Sequence, residues 1–147
     1  MKQLRFSVEI PAPKEKVWRV LLEDPTYRIW TSVFGEGSHA VGDWQEGSKM
    51  LFLGANGMGG MSSRIFRHVP NAFLSIQHLG VIVNGVEDFD SEATKRWSGA
   101  LENYSLNERK GVSELIIEID VTEEYIAYFE KTWPLALEKV KTLSETE

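Results

Sequence analysis

Residues 122 to 145, TEEYIAYFEKTWPLALEKVKTLSE, set the strongest limit on the fold. Ile126, Phe129, Trp133, Leu137 and Val140 fall at spacings of three and four, while Glu124, Lys131, Glu138 and Glu145 recur every seven residues opposite. One long amphipathic helix follows, and its apolar face must be buried against a large surface elsewhere in the chain. Pro134 lacks the amide that would bond the Glu130 carbonyl, so it bends or breaks a helix. Its position three residues after Lys131, toward the polar side, leaves that carbonyl open to water. The helix can therefore run on with its convex side outward.

The surface that meets this helix is a sheet. QLRFSVEI, residues 3 to 10, puts Leu4, Phe6, Val8 and Ile10 on one face and Gln3, Arg5, Ser7 and Glu9 on the other, the period of a half-buried strand. PAPKEKVWRVLLEDP then offers Pro13 as an early helical residue, Val17, Trp18, Leu21 and Leu22 at helical spacing, and Pro25 as terminator. A second short helix restarts with Asp24 as cap and Pro25 at the first helical position, presenting Tyr27, Trp30 and Phe34. From Glu36 to Asp120 strands alternate with the turns GDWQEG, GANGMGG, VPNA and NERKG. We expect strands near residues 36 to 43, 48 to 54, 61 to 69, 72 to 83, 98 to 107 and 113 to 120, seven with the first. Residues 84 to 96, NGVEDFDSEATKR, are polar and irregular, with room for one helical turn, and are the best candidate for a lid.

A chain of 147 residues is one domain's worth, so residues 1 to 147 are expected to form a single domain. No apolar run reaches the roughly 18 residues of a membrane span. The opening ten residues lack the basic start and apolar stretch of a signal peptide, which makes the cytoplasm the expected location. The absence of cysteine excludes disulfides, thiol chemistry and cysteine-ligated metal. A net charge of -6 works against nucleic acid as partner.

The register of the late hairpin raises the central question. In ELIIEID, Leu115, Ile117 and Ile119 must face inward, since the other face would bury Glu114, Glu118 and Asp120. On the preceding strand the inward set is Ala100, Glu102, Tyr104 and Leu106, larger and more apolar than Leu101, Asn103 and Ser105. Glu102 is thus a carboxylate on the buried face, where it would be costly alone. It pairs with an inward Arg or His, sits at a wet cavity mouth, or holds a proton because desolvation raises its pKa. His78 is the companion if Leu74, Ile76, His78 and Gly80 face inward. The opposite set, Phe73, Ser75, Gln77 and Leu79, would leave it outside, and the pattern does not choose between them.

Other candidates carry less chemistry. Trp30, Phe34, Phe52, Tyr104, Phe129 and Trp133 either fill a core or line a ligand cavity. GANGMGG lacks the Gly-Lys-Ser/Thr of a phosphate loop and reads as a hairpin turn built on Asn56-Gly57. His39, His68 and His78 have no metal-ligand spacing, and no metal or other cofactor is expected. No serine sits in a Gly-x-Ser-x-Gly elbow. EDFDSE lacks the glycine and terminal glutamate placement of a calcium loop.

The order strand, two short helices, six antiparallel strands and long helix resembles the START-like helix-grip superfamily, also called SRPBCC. Within it the chain is most similar to the branch related to the activator of the ninety-kilodalton heat-shock protein ATPase. The resemblance rests on FSVEIPAPKEKVWRVL, GSHAVGDWQEGSKMLF, ENYSL, GVSELIIEIDV and FEKTWPLALEKVKTL, and it covers essentially the whole chain. It implies an α+β helix-grip fold, with a curved seven-stranded antiparallel sheet wrapped around the C-terminal helix and an apolar cavity between them. Three functions are then open. The first is binding of a hydrophobic or amphipathic small molecule by Trp30, Phe34, Phe52, His78, Glu102, Tyr104, Phe129 and Trp133. The second is a protein-interaction module with a partner protein. The third is a cyclase- or aromatase-type enzyme in which Glu102 and His78 move protons. Edge strands of such a sheet could pair two copies, which leaves monomer and homodimer both open.

Overall fold

The computed structural model describes residues 1–146. Its centre is an antiparallel sheet in the order β1-β8-β7-β5-β4-β3-β2, with β6 paired to the free end of β5. The strands are β1 (Lys2–Ile10), β2 (His39–Val41), β3 (Lys49–Leu53), β4 (Gly60–Val69), β5 (Phe73–Val83), β6 (Val86–Asp88), β7 (Leu101–Arg109) and β8 (Val112–Val121). The helices are α1 (Lys14–Leu22), α2 (Asp24–Trp30), α3 (Glu92–Lys95) and α4 (Ile126–Glu145), and a turn of 3-10 helix, Glu123–Tyr125, leads into α4.

The alternation read in the sequence sets the faces. Phe6 lies opposite Ile117, Val8 opposite Leu115 and Leu4 opposite Ile119, so β1 and β8 turn one apolar face to the same side. Glu102 lies opposite Ile119, Tyr104 opposite Ile117 and Leu106 opposite Leu115, which extends that face onto β7. Ile76 faces Glu102 and Leu74 faces Tyr104 across the β5–β7 pair, so the inward set of β5 includes His78. Against this surface α4 packs on β1, flanked by α1 and α2. The C-terminal half of α4 buries Ala136, Leu137 and Val140 in a core with Val17, Leu21, Ile10, Leu115 and Ile117.

Several local expectations need correction. The sheet has an eighth strand, because Asn84 and Gly85 both take positive φ (51° and 77°) and turn the chain back as a two-residue hairpin. The proposed lid is therefore folded onto the sheet. Residues 86–88 pair with 81–83, and the Ser91 hydroxyl accepts from the Thr94 amide to start the single turn of α3. Strand 36 to 43 shrinks to His39–Val41, cut off by Gly37 and Gly42 at positive φ. Strand 98 to 107 begins at Leu101, although Gly99 and Ala100 still exchange backbone bonds with His78. Pro13 precedes α1 in an extended conformation, and Glu23, not Asp24, precedes α2, which places Pro25 at its second residue. Asp24 instead pairs with Arg28 one turn on, at 2.9 Å. Pro134 lies inside α4 on the exposed side and the helix continues through it.

A bulge decides what β5 shows to the interior. Ser62 pairs with Gly80 but Ser63 pairs with His78, so Leu79 is an extra residue on β5. The side-chain alternation flips there. Val81 replaces Gly80 on the inner face, contrary to the inward set written from strict alternation, and Gly80 is in close contact with Phe89 on the outer face.

Candidate functional site

α4 covers only part of the inner face, and the N-terminal half of the helix stands off the sheet. Between it, α2 and strands β2 to β5, β7 and β8 lies a cavity of about 570 Å³. Such a volume falls in the range of small-molecule sites. All eight residues singled out in the sequence, Trp30, Phe34, Phe52, His78, Glu102, Tyr104, Phe129 and Trp133, line it. The helices bring the aromatic wall. Trp133 stacks edge-on against Phe34 at 5.1 Å and Tyr104 at 6.1 Å, and lies 6.0 Å from Trp30. Trp30 is fixed by its indole nitrogen, which donates to the Leu21 carbonyl at 3.2 Å.

The sheet brings the polar wall, His78 from β5 and Glu102 and Tyr104 from β7, with Ser63 of β4 behind it. His78 Nε2 lies 2.9 Å from Glu102 Oε1, and the Tyr104 hydroxyl donates to Glu102 Oε2. On the far side of the ring, Ser63 Oγ lies 2.7 Å from His78 Nδ1. Ser63 has no other side-chain hydrogen-bond partner among the described residues and is 1% exposed, so its hydrogen goes to Nδ1. Nε2 then carries the imidazole proton and donates it to Glu102. Among the possibilities open for Glu102, pairing with an inward His is the one realised.

Serine, histidine and glutamate in one line invite comparison with a nucleophilic triad, but the geometry assigns Ser63 a different part. It is buried behind His78 and does not line the cavity. Ser63 orients the ring; it is not placed to attack a ligand. His39 lines the cavity, and its Nδ1 lies 3.0 Å from the Gly37 carbonyl oxygen. His68 is held by the Trp18 indole and the Trp44 carbonyl, away from the other two histidines. No cluster of three or more His, Asp or Glu that could hold a metal is found among the described residues.

No protein-family profile and no curated protein matches the chain by sequence. Solved structures do match by shape. Protein MLL2253 from Mesorhizobium loti superposes with a TM-score of 0.74 at 17% identity, covering 98% of this chain and 97% of that one. The Aha1 dimer from Colwellia psychrerythraea gives 0.74 at 19% identity, covering 99% and 97%. CalU16 from Micromonospora echinospora gives 0.67 at 18% identity, covering 96% and 74%. The chain has the START-like helix-grip fold.

Within this helix-grip cavity the electrostatics follow from burial and partners. Burial pushes the Glu102 carboxyl up, but the His78 hydrogen bond, the charge His78 carries when protonated and the Tyr104 hydroxyl outweigh it. They hold Glu102 below its ordinary value of 4.5. Burial, then the neighbouring Glu102 charge, pushes the Tyr104 phenol well above its ordinary 10.0, and the same two causes raise Tyr27. The site at neutral pH is one carboxylate between un-ionised phenols and an imidazole.

Tyr27, Trp97, Tyr125 and Tyr128 also line the cavity and were not among the expected site residues. Tyr27 was open to inference, being three residues before Trp30 on the same helix. Ser63 was not, because only the bulge at Leu79 sets it opposite His78.

Proposed function

We propose that this protein binds a hydrophobic or amphipathic small molecule between its sheet and α4. The reading is carried by one observation: a cavity of about 570 Å³, aromatic on the helix side, has the Glu102–His78–Tyr104 cluster on its sheet side. The aromatic residues Trp30, Phe34, Phe52, Phe129 and Trp133 would enclose the apolar body of the ligand, and the cluster would meet its polar end. Glu102 keeps 23% of its side-chain surface exposed, so two hydrogen bonds have not used up its lone pairs. Organic extraction of the purified protein followed by mass spectrometry tests the reading. A stoichiometric small molecule lost from Trp133→Ala or Glu102→Gln supports it. Retention of the same molecule in both variants places binding elsewhere and sinks it.

A second reading, a protein-interaction module, is favoured by an outer groove. Ile29, Val33, Leu135 and Leu143 line it, with Ile29 and Leu135 exposed, and the likeness to the Aha1 dimer points the same way. A protein captured by the wild type and lost on Leu135→Glu, with an empty cavity, would move this reading ahead. Turnover by Glu102 and His78 has no comparable observation behind it, since ligand binding accounts for both.

A further inference from the structure

The polar chemistry of the cavity is one-sided. Among the residues that line it there are two carboxylates, Glu102 and Asp120, and neither lysine nor arginine. Asp120 accepts from the Leu101 amide at 2.9 Å, and no lysine or arginine accompanies it in the lining. With Ser63 donating to Nδ1 and Nε2 donating to Glu102, every bond in the chain is satisfied by a neutral imidazole. Tyr104 donates to Glu102 as a neutral phenol. The cluster thus presents the Glu102 carboxylate, bonded by His78 and Tyr104 and still 23% exposed where it lines the cavity.

Around that charge stand ten aromatic residues, among them Tyr27, Phe34, Phe52, Tyr128 and Trp133. Ring faces attract cations and are indifferent or unfavourable to anions. In a site of low polarizability both effects act at greater strength than in water. A ligand carboxylate or phosphate would meet Glu102 with no lysine or arginine to offset it, whereas an ammonium would complete the charge and use the carboxylate's free lone pairs.

We infer that the cavity takes a cationic amphiphile, an organic ammonium group carried on an apolar body. This rests on the small-molecule reading above and adds the charge of the ligand to it.

The test uses three probes of one shape: 2-naphthylmethylammonium, 2-naphthylmethanol and 2-naphthoate, titrated calorimetrically into the intact protein near neutral pH. The ammonium is expected to bind at least about tenfold tighter than the alcohol, roughly 1.4 kcal/mol, and the carboxylate weaker than both. In Glu102→Gln the ammonium should lose that advantage over the alcohol. Should that variant fail to fold by circular dichroism, the ordering of the three probes on wild-type protein decides alone. An alcohol that binds as tightly as the ammonium, a carboxylate that binds best, or an ammonium advantage that survives in Glu102→Gln overturns the charge assignment and leaves the cavity standing as a binding site. Failure of all three probes to bind removes the binding site itself, and the inference with it.

Discussion

Glu102 shows how a carboxylate is kept ionised on the buried face of a sheet. Two donors, His78 and Tyr104, supply what water would have supplied, and Ser63 fixes which imidazole nitrogen holds the proton. Replacing Tyr104 with Phe keeps the ring and removes one donor, so we expect a loss of about 1.5–3 kcal/mol of stability by urea denaturation, the value of a hydrogen bond to a charged group. The Glu102 carboxyl should also titrate higher in that variant, which carboxyl NMR would follow. A second expectation concerns acid. Because folding lowers the Glu102 pKa, its contribution is fully present above the ordinary 4.5 and is lost as pH falls through the folded-state value. Glu102→Gln should therefore show a smaller loss of stability than wild type between pH 5 and acid conditions; an identical acid slope would remove Glu102 from the account. The inward position of Glu102 was legible from ELIIEID and ENYSL because burying three acids on the alternative face is so costly. That of His78 was not, since apolar residues occur on both faces of its strand and the deciding facts are its neighbours in space.

At the level of elements, periodicity located what tertiary contacts reinforce and missed what turns decide. β1, β8 and α4 follow their patterns closely, and the exposed side of the α4 pattern also tells why Pro134 is tolerated. The short β6 escaped notice, although Asn84-Gly85 is the dipeptide that favours a tight hairpin, because the strand after it is only three residues long and polar. The bulge at Leu79 left no local sign at all, being a property of how β4 and β5 align. Gly60 marks another such constraint. It starts β4 at φ 151°, and a Cβ there would lie 1.9 Å from the Phe52 carbonyl oxygen. No side-chain rotation relieves a clash with backbone, so Gly60→Ala should cost about 3 kcal/mol or more and distort the β3–β4 hairpin beside the cavity. A thermal melt within a degree or two of wild type would contradict it.

The whole molecule divides α4 between two tasks. Its C-terminal half is core, its N-terminal half is cavity wall, and Trp133 belongs to both, 3% exposed yet lining the open space. Trp133→Ala should accordingly lower stability by about 3–5 kcal/mol and enlarge the cavity at once. Paired denaturation and probe-binding measurements would show both effects; loss of stability with unchanged probe affinity would separate the two tasks.

The pairing of the first strand with the last has a consequence for how the chain matures. Residues 2–10 find their partners only at 113–121, and the helix that shuts the cavity follows still later. During synthesis β1 must wait, its apolar face uncovered, until residues 113–121 emerge. Closure of so long a loop slows folding and prolongs exposure of sticky surface. The last helix then folds over the assembled sheet as a stopper over a vessel.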